Sequence, residues 1–83
     1  MRDARDWGTA KALFEVVRIR YAAFRERFGR DPLPDDPLLF DPTADKPIAA
    51  TTIDQALQVL SAALLGNVDA DLVLKHLGLP RMR

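Results

Sequence analysis

The chain has no cysteine, one histidine, one tryptophan, one tyrosine, a single serine and only two glutamates among its 83 residues. Without cysteine there are no disulfides and no thiolate metal sites, so packing alone must hold the fold. His76 is the lone imidazole, which excludes a multi-histidine metal site within one chain. Ser61, the only serine, falls in the middle of an apolar helical pattern and has no candidate base beside it. The four glycines are scattered at positions 8, 29, 66 and 78, so no loop can cradle phosphate as a glycine-rich turn does. These absences argue against enzymatic activity, and they assign no catalytic residue, metal, cofactor or small-molecule ligand.

Long hydrophobic runs are missing as well. No stretch approaches the 18 or so apolar residues of a membrane span. The polar opening Met1-Arg2-Asp3-Ala4-Arg5-Asp6 has no apolar segment behind it, so neither a secretory signal nor a membrane association is expected, and the expected compartment is the cytoplasm.

What is present is a small apolar chain with separated charges. Hydrophobic residues make up 48%, too many for global disorder. A chain this short buries only about 60–65% of its unfolded surface, so a partner is often needed to complete the core. Formal net charge is zero. Residues 1–30 nevertheless carry eight basic and four acidic side chains, and residues 31–54 carry six aspartates against Lys46. That asymmetry favours pairing within or between copies over binding to a polyanion. Arginine outnumbers lysine nine to three, a bias of GC-rich bacterial coding that carries no information about nucleic acid.

The spacing predicts a small all-α domain over residues 1–83, with helix 1 at about 4–28, a Pro/Asp-rich ordered loop at 29–50, helix 2 at about 53–65 and helix 3 at about 70–77. Helix 1 is expected to begin near Asp3 or Asp6, capped by Asp6 or Thr9, with Gly29 past its end and Pro32 preventing continuation. Five of the six prolines lie within residues 30–50 with five aspartates, and Asp36-Pro37 and Asp41-Pro42 each read as the start of a single helical turn. Leu38-Leu39-Phe40 is too apolar for a free linker and is expected to dock. Thr52 and Gln55 read as a capping box for helix 2. Asp69 and Gly78 read as the caps of helix 3, and residues 81–83 as a frayed end.

Helix 1 carries two apolar stripes. Ala10, Leu13, Phe14, Val17, Tyr21, Phe24 and Phe28 make a broad face, expected to meet Ile53, Leu57, Leu60 and Leu64 of helix 2. Ala12, Val16, Ile19 and Ala23 make a narrower one rich in small residues. The second stripe is read as an interface, self-associating as an antiparallel homodimer or binding another protein. Val16, Ile19, Leu38, Leu39 and Phe40 would supply apolar contact, with Ala12 and Ala23 allowing close approach and Arg20 and Arg27 as rim charges. The competing reading has Leu38, Leu39 and Phe40 cover this stripe within the monomer. Function is accordingly read as a non-enzymatic adaptor or accessory subunit.

The alternative is a helix-turn-helix DNA-binding regulator built on helices 2 and 3, because Ala62, Gly66 and Leu72 fit the spacing of that unit. Lys75, Arg18 and Arg25 would then contact phosphate. Asp69 and Asp71 at the start of the reading helix would be repelled there, so nucleic acid is disfavoured. A membrane-surface role for helix 1 is also disfavoured, because a bilayer accepts one apolar face and not two. The loop aspartates lack the alternating spacing and terminal glutamate of a calcium loop.

Overall fold

The computed structural model describes the backbone of residues 4–80 and the side chains of residues 7–80. A start at Asp3 and the fraying of 81–83 lie outside the described residues. Three helices, α1 (Ala4–Phe28), α2 (Thr52–Gly66) and α3 (Ala70–Leu77), all touch one another. There is no sheet among the described residues, only one antiparallel bridge between Phe40 and Ala49.

Helix ends follow local chemistry. Gly29 takes the left-handed conformation (φ 71°) past α1 and donates its N–H to the Arg25 carbonyl. Thr51, one residue before the expected cap, opens α2, and its side chain accepts from the Asp54 N–H. Gln55 therefore closes no capping box and instead donates its side-chain amide to the Ala50 carbonyl at 2.8 Å. Asn67 ends α2 in the left-handed region (φ 55°), a conformation asparagine tolerates better than most residues. Asp69 caps α3, and beyond Gly78 the Leu79 N–H returns to the Leu74 carbonyl at 2.9 Å. Asp6 and Thr9 lie inside α1 and are not its caps.

The loop from Gly29 to Thr51 is a folded strap. Asp41 N–H donates to the Ile48 carbonyl at 2.8 Å and Ala50 N–H to the Leu39 carbonyl at 3.0 Å, closing a narrow two-stranded return. Asp36 starts no turn into Pro37, whereas Asp41 opens a single turn in which the Ala44 N–H donates to the Asp41 carbonyl at 3.3 Å. The Asp36 carboxylate accepts from the Leu33 N–H and from Arg30, and Asp41 accepts from the Thr43 N–H and hydroxyl. An aspartate before proline serves a turn here by folding its side chain onto nearby donors.

The core takes the small stripe of α1 and only part of the faces expected inside, with Phe24 fully buried and Leu13 and Leu60 packed inward. The buried cluster is Ala12 and Val16 of α1, Ala56, Val59, Ala62 and Ala63 of α2, and Val73 and Leu74 of α3. Ile19 packs against it. The large residues expected inside, Phe14, Val17, Tyr21, Ile53, Leu57 and Leu64, are exposed. The physical cause is close helix approach, in which small side chains on both surfaces let the backbones come together and gain contact along their whole length. At Gly66 the surfaces are so near that an added Cβ would sit 3.1 Å from both Glu15 Cβ and Ile19 Cδ1. Larger side chains at that contact would hold the helices apart.

Candidate functional site

The outward side of α1 carries a pattern of its own. Trp7, Ala10, Phe14, Val17, Tyr21, Phe24 and Phe28 alternate at intervals of three and four, the a and d positions of a heptad seam. The last two are covered: Phe24 is fully buried and Phe28 partly so, because Phe40 of the strap packs on them with ring centroids 5.9 and 5.2 Å away. The rest is open. Trp7 is 69% exposed, Phe14 67%, Val17 47% and Tyr21 39%. From Trp7 to Tyr21 the seam runs about 21 Å along the helix. A contiguous row of aromatic and aliphatic side chains on one face is the kind of exposed patch that monomeric proteins rarely carry without a use.

Beside this row lies a groove of about 300 Å³, walled by Leu13 and Val17 of α1, Pro37, Leu38 and Leu39 of the strap, and Val73 and Leu77 of α3. Val17 belongs to both groove and seam, so the two are one continuous apolar surface. Arg20 stands at the groove's edge. Its Nε donates to the Leu38 carbonyl at 3.1 Å, and its guanidinium lies 4.8 Å from the centre of the Phe40 ring. Burial of about half this side chain pushes its pKa down. Among the described residues no carboxylate pairs with it, an uncommon situation for a desolvated cation.

The arginines at the C-terminal end of α1 are part of the fold. Arg27 and Arg30 lie over the Phe28 and Phe24 rings, each 5.3 Å from the centroid, as Arg20 lies over Phe40. Arg27 also donates to the Ala44 carbonyl at 2.6 Å. Arg25 pairs with Asp31 at 2.8 Å, and Arg30 pairs with Asp36 at 2.7 Å. The Arg30 guanidinium and then the Leu33 N–H hold the Asp36 carboxyl below the usual carboxylate range. Thr43, through its N–H and then its hydroxyl, does the same for Asp41.

The residues assigned to an interface from sequence are dispersed by the fold. Ala12 and Val16 are core, and Ile19 and Ala23 are half-buried, so the small stripe is spent inside the monomer and offers no face for a dimer. Strap residues cover α1 on both apolar sides: Phe40 is buried over Phe24 and Phe28, while Leu39 packs against the core cluster containing Ala12 and Val16 and lines the groove with Leu38 and Val16. Arg27 serves the aromatic cluster, leaving Arg20, Leu38 and Leu39 at an accessible surface. Reasoning from side-chain size missed Trp7, Phe14, Val17 and Tyr21. The signal that could have found them was the strict three-four spacing, which continues past what a short second helix can cover.

For DNA recognition the arrangement is poor. Arg18 is engaged with Glu15 at 2.9 Å, raising its own pKa and lowering that of Glu15. Arg25 is held by Asp31. Both belong to α1, not to α3, where exposed Lys75 and His76 are the basic side chains and the helix opens on Asp69 and Asp71. No group of three or more potential metal ligands occurs among the described residues. Among the described residues no helix is long and apolar enough to cross a membrane. Comparison with family models, curated proteins and solved structures finds no match.

Proposed function

We propose that this domain is a non-enzymatic interaction module that docks a partner protein along the open α1 seam and its adjoining groove. The observation that carries the reading is the row Trp7–Ala10–Phe14–Val17–Tyr21, which a helix of another protein could complete by knobs-into-holes packing. The strap supports it from within the chain, since Phe40 already caps the last two seam residues. A docked helix would continue the same cover toward Trp7. Self-association, expected from sequence through the buried stripe, would have to use this outward face instead.

The test is site-specific photo-crosslinking in cells that make the protein, with a benzophenone side chain at position 14 and, as control, at Lys46 on the exposed strap. A discrete adduct formed from position 14 and absent from position 46, and lost when Val17→Asp is added, is the expected result. Equal adducts from both positions, or none from position 14, would refute a docking role for this face.

A further inference from the structure

The flanks of the seam state what kind of partner fits it. In the heptad set by Trp7, Phe14 and Tyr21, the flanking positions on one side are Lys11, Arg18 and Arg25, and on the other Leu13, Arg20 and Arg27. From Lys11 to Arg27 neither flank carries an acidic residue, and Asp6, one heptad step before Leu13, is the carboxylate of that register. Between Lys11 and Arg27, two copies of the seam bring no flanking carboxylate to one another's cations. An antiparallel pair would set Arg18 against its counterpart and Lys11 near Arg25, and a parallel pair would set Arg20 near Arg25. Like charges at these positions oppose pairing, and complementary ones select the partner.

We infer that the α1 seam accepts an amphipathic helix of another protein whose apolar stripe is bordered by glutamate or aspartate, with one carboxylate seated on Arg20. This rests on the docking face proposed above and adds the partner's chemistry. Arg20 is the strongest pointer. It is half-buried at the groove edge, it bonds a single carbonyl through Nε, and no carboxylate among the described residues pairs with it. Its terminal nitrogens still offer the forked geometry that binds carboxylate. Exposed Lys11 on the opposite flank would meet the acidic border from the other side, and Arg18, held to Glu15 through Nε and Nη2, would have Nη1 left to offer it. A nucleic acid would use these cations, but it has no counterpart for a 21 Å row of helix-spaced apolar side chains (about 1.5 Å per residue).

The sole tryptophan lies in the seam, so the protein reports its own occupancy. Three tryptophan-free helical peptides of equal length, each with leucine at a and d, are titrated against the full chain and read by Trp7 emission. They carry glutamate, glutamine or lysine at e and g. The expected order is glutamate over glutamine over lysine, with the glutamate peptide bound at least about tenfold more tightly than the glutamine one at low salt. That ratio should shrink with added salt and in Arg20→Gln. Because Arg20 also touches the strap, Lys11→Gln combined with Arg18→Gln gives an independent loss of the same ratio from exposed positions.

Equal binding of the glutamate and glutamine peptides would overturn the acidic partner and leave the docking face standing. Binding of none of the three would remove both. Competition by duplex DNA would replace the acidic helix with a polyanion. A wild-type dimer in sedimentation equilibrium that Phe14→Asp dissolves would replace it with a second copy.

Discussion

Two phenylalanines ten residues apart on α1 should behave in opposite ways when truncated. Phe24 is fully buried, with Phe28 at 4.7 Å and Phe40 at 5.9 Å between ring centroids. Phe24→Ala removes the ring from a packed site, which typically costs about 3–5 kcal/mol, including the two ring pairings at about 0.5–1.5 kcal/mol each. An 83-residue chain of ordinary stability has only about 4–12 kcal/mol in total. The melting temperature should therefore drop by at least about 12 °C, at about 4 °C or more per kcal/mol. Phe14 is two-thirds exposed. Phe14→Ala loses about a third of a ring's burial, about 0.5–1 kcal/mol, and regains about 0.5 kcal/mol from alanine's better helix propensity. The net change should stay within about 0.5 kcal/mol, or roughly 4 °C. Thermal unfolding followed by far-ultraviolet circular dichroism separates the two. Equal losses at both positions would refute the outward placement of the aromatic row.

Other substitutions probe the remaining contacts. Val16→Asp places a lone carboxylate in the core at a cost of about 4 kcal/mol or more, and a cooperatively folded variant in a urea titration would contradict the inward stripe. Thr51→Ala removes the α2 cap and should cost about 1 kcal/mol in the same assay, whereas no change would place the cap elsewhere. Gly66→Ala should lower the melting temperature although alanine favours helix by about 1 kcal/mol. The new methyl meets Glu15 Cβ, which is fixed to the α1 backbone, so a higher melting temperature would mean the helices are not in close approach. The Asp36 and Asp41 carboxyls have depressed pKa values in the fold, so their stabilisation is complete above the ordinary aspartate value and lost as pH falls through the folded value. Melting temperature should fall on acidification below about pH 4, and Asp36→Asn with Asp41→Asn should flatten that fall. An unchanged acid slope would contradict it.

The sequence revealed much of the scaffold because helix ends are local. Asp69, Gly78 and Gly29 act through their own backbone conformations and nearest hydrogen bonds, which residue type alone specifies. Docking of Leu38-Leu39-Phe40 was equally legible, since three large apolar residues cannot stay in water between prolines. The choice of face on α1 was not. Both stripes are apolar, and ranking them by size favours the aromatic one. Contact distance decided otherwise: Ala12, Ala56, Ala62 and Ala63 let the backbones close, a property of two surfaces together that no single helix displays. The same reversal moved the candidate site from the small stripe to the large one. The shift of the α2 cap from Thr52 to Thr51 was ambiguous locally, as either threonine could cap.

The outward heptad row is most directly tested by nuclear Overhauser contacts in the free protein, with solvent exposure of the aromatic rings read from a soluble paramagnetic agent. The fold requires strong contacts between the Ile19 δ1 methyl and the Gly66 α protons. It also requires Phe14 and Tyr21 ring protons that the paramagnetic agent broadens. Contacts from the Phe14 ring to the methyls of Ile53, Leu57 or Leu64, with ring signals protected from the agent, would place the aromatic row inside and remove the docking face.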